Sequence, residues 1–210
     1  MWKLKNTDKC IKGVVFDMDG TLCLPQTWMF KDMRDAIGCQ DPKIDILTFI
    51  EELPTAEEQA EAERKITVVE KKAMEEMEPQ PGMIELFRFL KENGISKSIC
   101  TRNLIGAVTY LVESFVPTDL NDFECIVTRE FYPPKPKPDP LLHISKQLKL
   151  KPEEMIMVGD SADDMKSGAA AGFTTILLNN DVNKLLRDDK KLVTYSVDKL
   201  SDIIDLLEPL

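Results

Sequence analysis

The chain has 210 residues, of which 43% are hydrophobic and 30% are charged, and its formal net charge is −10. This length permits one domain or two small ones, and the composition is ordinary for a globular protein. The acidic balance argues against a protein that binds nucleic acid or an anionic membrane, because both of those partners require basic surfaces.

The five cysteines are widely and irregularly spaced, and no two of them form a Cys-x-x-Cys pair. An odd set of this kind favours the reduced thiols of an intracellular protein over a disulfide framework. No stretch is apolar for long enough to span a bilayer, and the first eleven residues lack the apolar segment of a signal peptide. The cytoplasm is therefore the expected location.

The first predicted strand follows a loose lead-in over residues 1–10. Residues 11–16 end in Val-Val-Phe, and such a short apolar run favours a strand that is buried in a parallel sheet. It stops at Asp17 and Asp19, which therefore lie at the carboxyl end of the strand, where open α/β sheets bind their ligands. Two carboxylates so close together would repel one another, and they indicate a hard cation such as Mg²⁺.

The pattern then changes from strand to helix. Apolar residues recur at helical spacing in three segments: 25–37, 44–50 and 55–77. The prediction is a small all-helical cap over residues 23–79, inserted into an α/β core that consists of 1–22 and 80–210. An insert that leaves a sheet just past an acidic loop occupies the position at which lids act.

Strand and helix patterns alternate over the remainder of the chain. Strands are predicted at 95–100, 124–128, 155–158, 173–178 and 193–197. Helices are predicted at 85–92, 104–115, 141–150, 162–171 and 200–207, and Asn103 is the predicted N-cap of the second of these helices. Such alternation is typical of an α/β fold with a doubly wound parallel sheet.

The loops that follow successive strands of such a sheet face one crevice. In chain order these loops supply Asp17, Asp19, Thr101, Arg102, Lys135, Asp160 and Asp164. A carboxylate can attack phosphorus, and a second carboxyl group can protonate the leaving oxygen and then activate water. A hydroxyl can hold phosphate oxygens, and a lysine can neutralise charge on the nucleophile and the phosphate.

Four segments together resemble a known family. They are the Asp-x-Asp-Gly-Thr-Leu that begins at Asp17, the threonine at Thr101, the Lys-Pro-x-Pro-Asp that begins at Lys135 and the Gly-Asp-Ser-x-x-Asp that begins at Gly159. In type and order they resemble the motifs of the haloacid dehalogenase superfamily. The likeness is to its phosphoglycolate phosphatase-like branch, which has a small helical cap.

The resemblance implies a role for each acidic residue. Asp17 would be the nucleophile and a Mg²⁺ ligand, and Asp19 would be the general acid and base, with its backbone carbonyl on the metal. Asp160 would be the acidic metal ligand of the last motif. Asp164 would lie in the outer shell of the metal.

The resemblance also assigns the groups that hold phosphate. Thr101 would supply a hydroxyl, with Arg102 beside it, and Lys135 would serve both phosphate binding and catalysis. The spacing Lys-Pro-x-Pro-Asp selects Lys135 over Lys137, which is interpreted as a solvated surface charge.

The expected function is that of a Mg²⁺-dependent phosphatase, which hydrolyses a small phosphorylated metabolite through an aspartyl-phosphate. A phosphomutase of sugar phosphates shares all four motifs and remains an alternative, as does a non-catalytic phosphate-binding protein. A phospho-acceptor receiver module is disfavoured, because its acidic pair comes first and its lysine last. The pattern specifies neither one substrate nor an oligomeric state.

Overall fold

The structure, a computed structural model, describes residues 1–210. Its internal contacts divide the chain into two compact units. The first, here called the α/β unit, comprises Met1–Leu24 and Pro79–Leu210. The second, here called the helical unit, comprises Pro25–Glu78.

The α/β unit contains all of the strands. They are β1 (Trp2–Leu4), β2 (Cys10–Ile11), β3 (Gly13–Phe16), β4 (Ser96–Cys100), β5 (Cys125–Val127), β6 (Met155–Gly159), β7 (Thr174–Leu178), β8 (Tyr195–Val197) and β9 (Leu207–Pro209). Six of them form a parallel sheet in the order β5-β4-β3-β6-β7-β8. All four residues of β3 are buried at its centre. The predicted doubly wound parallel α/β sheet is thus confirmed.

The helices are α1 (Thr27–Ile37), α2 (Ile46–Glu51), α3 (Ala56–Glu75), α4 (Met83–Glu92), α5 (Ile105–Phe115), α6 (Asp139–Leu148) and α7 (Ala162–Ala171). The last four belong to the α/β unit, where α4 packs on β4 and α7 packs on β6 and β7. None of the helices is both long enough and apolar enough to cross a membrane.

The prediction of a loose lead-in over residues 1–10 was wrong. β1 pairs antiparallel with β2 and with β9, so that Trp2 lies opposite both Ile11 and Pro209. The Trp2 ring also packs edge-on against Phe89, with 4.7 Å between the ring centroids. Strands of two or three residues are too short to show an alternating pattern, and one of the two partners of β1, the strand β9, lies at the other end of the chain. The predicted helix at 200–207 is a 3₁₀ helix over Leu200–Leu206.

The helical unit contains α1, α2 and α3 and has a hydrophobic core of its own. Its buried residues are Met29, Met33, Ile46, Ile50, Ala62, Ile66 and Ala73. A capping box begins α3, since the Thr55 hydroxyl accepts from the Glu58 amide and the Glu58 carboxylate accepts from the Thr55 amide. The chain leaves and re-enters the α/β unit at adjacent points, because the Gln80 amide donates to the Leu22 carbonyl at 2.9 Å.

Candidate active site

The carboxyl ends of three neighbouring strands are in register. Phe16, the last residue of β3, lies opposite Ile99 on β4 and Val158 on β6. The next residue, Asp17, continues the ladder by donating its amide to the Val158 carbonyl at 2.9 Å. Thr101 likewise extends β4, since its amide donates to Val127 of β5. The loops after these strands therefore begin at the same edge of the sheet.

Lys135 lies at the centre of the candidate site. Its Nζ donates to Asp17 Oδ1 at 2.7 Å and to Asp164 Oδ1 at 2.5 Å, and all three residues are at most 8% exposed. Burial alone would lower the pKa of Lys135, but the two carboxylates outweigh burial and raise that pKa above its ordinary value. The Lys137 residue, in contrast, is exposed. The structure therefore brings Lys135, and not Lys137, to the two aspartates.

Both oxygens of Asp164 are engaged within the protein. Oδ1 accepts from Lys135, and Oδ2 accepts from the Ser161 hydroxyl at 2.6 Å and from the Ser161 amide at 3.1 Å. The Ser161 hydroxyl in turn accepts from the Asp164 amide, which completes a capping box at the start of α7. This arrangement suits Asp164 to the outer shell of a cation.

Asp160 is positioned by two asparagines that were not predicted. Asn180 Nδ2 donates to Asp160 Oδ2 at 2.9 Å, and Asn183 Nδ2 donates to the Asp160 backbone carbonyl at 2.8 Å. Both asparagines lie in the loop after β7. Their place after the carboxyl end of a predicted strand was a signal that could have identified them.

Asp19 contacts Asn103, whose amide Nδ2 lies 3.1 Å from Asp19 Oδ2 and 3.4 Å from Oδ1. The prediction that Asn103 is the N-cap of α5 was wrong, because Leu104 occupies the N-cap position, without a side-chain cap. The Thr101 hydroxyl accepts from the Asn103 amide at 3.0 Å. Arg102 Nη1 lies 3.3 Å from Asp163 Oδ2, and both side chains are about one-third exposed.

The acidic groups fit a divalent cation. Carboxylate oxygens of Asp17, Asp160 and Asp164 all lie within 4.8 Å of one another. Burial raises the pKa of Asp17 well above its ordinary value, with repulsion from the neighbouring carboxylates adding to the shift and Lys135 opposing it. Burial and then the charge of Asp164 raise the pKa of Asp160 to about 7. A cation among these oxygens would relieve the repulsion, and oxygen ligands suit Mg²⁺.

Two glycines allow the acidic loops to approach closely. Gly20 has a φ of +83°, and a Cβ atom there would collide with the Asp160 carboxylate. A Cβ atom at Gly159 would collide with the Asp164 side chain. Glycine at position 20 therefore lets the loop after β3 lie directly against the loop after β6, and glycine at position 159 lets the start of α7 lie against the end of β6.

Comparisons with known proteins identify the family to which the chain belongs. The family model for haloacid dehalogenase-like hydrolases matches residues 11–172. An uncharacterized hydrolase of Saccharomyces cerevisiae is 59% identical over 201 residues, which cover 95% of this chain and 92% of the yeast protein. A phosphoglycolate phosphatase of Nitrosococcus oceani is 31% identical over 60% of this chain and 56% of its own length.

Among solved structures, a predicted phosphoglycolate phosphatase from Haemophilus somnus superposes with a TM-score of 0.71 at 18% identity. The superposition covers 93% of this chain and 97% of the other, and it shows a shared fold. From the match to the family model and the yeast relative, the chain belongs to the haloacid dehalogenase-like hydrolases, the superfamily that its four motifs indicate.

Proposed function

We propose that the protein is a Mg²⁺-dependent phosphatase that hydrolyses a small phosphorylated metabolite through an aspartyl-phosphate. The observation that carries this proposal is the buried Lys135 ammonium, which contacts both Asp17 and Asp164 at the carboxyl edge of the sheet. The name of the Nitrosococcus oceani relative, a phosphoglycolate phosphatase, supports a phosphate ester as the substrate.

The phosphoryl group is transferred twice, first from the substrate to Asp17 and then from Asp17 to water. A carboxylate oxygen of Asp17 attacks phosphorus, the bond from phosphorus to the ester oxygen breaks, and the carboxyl proton of Asp19 passes to that oxygen. Asp19 then removes a proton from water, whose oxygen attacks phosphorus. The bond to Asp17 breaks, so that inorganic phosphate leaves and Asp19 is protonated again.

The remaining groups hold the phosphoryl group during both transfers. Thr101 and Arg102 lie after β4, and Lys135 reaches the nucleophile from the loop between β5 and α6. Asp17, Asp160 and the backbone carbonyl of Asp19 would hold Mg²⁺. That ion supplies positive charge for the transferring phosphoryl oxygens when it is bound.

The test is a panel of phosphate monoesters, assayed for released phosphate with Mg²⁺ and with EDTA. Wild type should release phosphate only with Mg²⁺, and Asp17→Asn should remove turnover while the fold persists. Near-normal phosphatase activity in a folded Asp17→Asn variant would contradict the mechanism. Substrate that isomerises without phosphate release would identify a phosphomutase instead.

For the helical unit we propose the role of a cap that excludes water and selects the leaving group. It has a core of its own, and the chain on either side of it is joined by the hydrogen bond between Gln80 and Leu22. Replacing residues 26–78 with a short Gly/Ser linker should therefore leave the α/β unit folded.

The truncated protein should still hydrolyse an activated aryl phosphate slowly, since a good leaving group needs little assistance. It should lose discrimination among natural phosphate esters, measured as relative kcat/KM across the panel. Circular dichroism would check its folding. An unchanged specificity profile would mean that the helical unit does not select the substrate.

We also propose that the protein acts in the cytoplasm. All five cysteines are unpaired thiols, and a reducing compartment would keep them so. Its proposed partner is the small phosphorylated substrate alone, without nucleic acid or membrane, as the acidic composition favours.

A further inference from the structure

We propose that Asn103 is a positioning residue that orients Asp19 for proton transfer to the leaving group. This inference rests on the proposed function, because it takes Asp19 as the general acid. The motifs do not assign Asn103, and its expected role as a helix cap was wrong.

The first argument is the orientation of the Asn103 side chain. Its Oδ1 accepts from the Leu104 amide at 2.8 Å, and this bond turns the Nδ2 group toward Asp19. Its backbone amide donates to the Thr101 hydroxyl at 3.0 Å. Its backbone carbonyl accepts from the Arg129 amide at 3.1 Å, so four hydrogen-bonding groups of Asn103 are engaged, and the residue joins the loop after β4 to the loop after β3.

The second argument is chemical. The NH₂ group of an asparagine donates hydrogen bonds and cannot accept one. When Asp19 is protonated, its O–H must therefore point away from Asn103. The amide thus restricts the directions in which the carboxyl group can present its proton.

The third argument is the contrast with Asp17, only two residues away. Lys135 contacts Asp17 Oδ1 at 2.7 Å, whereas Asn103 contacts both oxygens of Asp19. The two carboxylates are thus directed to different partners. Lys135 brings a positive charge to the nucleophile, whereas the Asn103 amide brings no charge to the acid and so does not itself favour loss of its proton.

The test measures kcat/KM for phosphate esters whose leaving groups differ in basicity: p-nitrophenyl phosphate, phenyl phosphate and an alkyl phosphate. This parameter reports the transfer to Asp17, in which the leaving group departs. Asn103→Ala removes the whole amide. Asn103→Asp keeps the oxygen that accepts from Leu104 but replaces the donor with a negatively charged acceptor, which would draw the proton of Asp19 toward position 103. It therefore tests the donor without loss of the support that the side chain gives to the turn.

Both Asn103 variants should retain p-nitrophenyl phosphate hydrolysis to within about threefold and lose about 10- to 100-fold on the alkyl ester, a fraction of the general-acid contribution. Asp19→Asn should show the same selective loss, larger in size. Combining it with Asn103→Ala should add less than about twofold, because residues that act as a unit are not additive. Asn121→Ala is the matched control, since this exposed asparagine precedes β5 at the opposite end of the strands.

An equal loss on all three esters in both Asn103 variants would overturn the inference, as would a fully additive double variant. A selective loss in Asp19→Asn without one in the Asn103 variants would overturn the inference about Asn103 alone. If Asp19→Asn shows no selective loss, the assignment of the general acid in the proposed function fails.

Discussion

The candidate site has two regions that engage carboxylates in different ways. At the buried centre, the ammonium of Lys135 contacts Asp17 and Asp164. Toward the rim, side-chain amides contact the other two carboxylates, with Asn103 on Asp19 and Asn180 on Asp160. The ammonium group offsets the negative charge of the carboxylates that it contacts. A side-chain amide orients a carboxylate without offsetting its charge. The comparison therefore separates residues that should govern rate and charge from residues that should govern geometry.

The largest effect is expected at the buried centre. Lys135→Ala should lower kcat on the order of 100-fold or more, because one preorganised charge at the transition state is lost. It should also lower the free energy of unfolding by about 3 kcal/mol without Mg²⁺, because buried carboxylates lose their partner. Steady-state kinetics and urea unfolding would measure the two effects.

Lys137→Ala is the matched control for that experiment, because Lys137 lies two residues away on the same loop and is exposed. Its kinetics and stability should remain close to wild type. A larger kinetic effect at position 137 than at 135 would mean that the alignment to the Lys-Pro-x-Pro-Asp motif is displaced by two residues.

The next-largest effect is expected on stability, from the charge of Asp160 at the rim. In the metal-free fold the pKa of Asp160 is about 7, against about 3.9 for an unperturbed aspartate. The fold therefore binds this proton more tightly than the unfolded chain, so stability falls as the pH rises from about 4 to 7. Asp160→Asn should remove that penalty, and in EDTA it should be more stable than wild type by about 1 to 3 kcal/mol at pH 8.

Urea unfolding at pH 4 and pH 8 would test this prediction. The two proteins should be nearly equal in stability at the lower pH, where the carboxyl group is protonated in the fold and about half protonated in the unfolded chain. Mg²⁺ should stabilise only the wild type, since a ligand that binds the folded state alone adds to its stability. Equal stability of the two proteins at pH 8 in EDTA would show that the ionised Asp160 does not destabilise the metal-free fold.

The smallest effect is expected from the amide that orients Asp160. Asn180→Ala removes the donor to Asp160 without adding a charge near the proposed metal ligands, together with the oxygen that accepts from Val182 and Asn183. The dissociation constant for Mg²⁺ should rise about 10-fold, the lower end for residues that orient metal ligands. Calorimetric titration with Mg²⁺ would measure it. An unchanged affinity would mean that the amide is not needed to orient the ligand.

The residues at the buried centre could be predicted from the sequence more readily than the asparagines at the rim. Lys135 and Asp164 could be located because charged residues at set spacings, after predicted strands, converge at one edge of a parallel sheet. Asn103 and Asn180 also follow predicted strands, but an asparagine in a loop is equally typical of turns and helix caps, so their position does not identify the carboxylate that each contacts. Only the folded geometry shows that Asn103 contacts a carboxylate 84 positions earlier in the chain.

Some elements of the fold could likewise be predicted from the sequence, and others could not. The buried strand β3 and the capping box at Thr55 were predictable because their signals are local and strong. Strand β1 was missed because three residues carry too little pattern, and its neighbour β9 lies at the other end of the chain. Pairing between segments that distant depends on the whole tertiary structure.

The central position of β3 has a consequence for synthesis on the ribosome. This strand is made early, but its two neighbours, β4 and β6, begin only at Ser96 and Met155. At about 5 to 20 residues per second, β6 is made on the order of ten seconds after β3. The helical unit, whose contacts are local, can fold during that interval. Even after β4 has been made, the apolar β3 lacks its second neighbour, so a nascent chain that stalls before β6 should be the form most in need of chaperones.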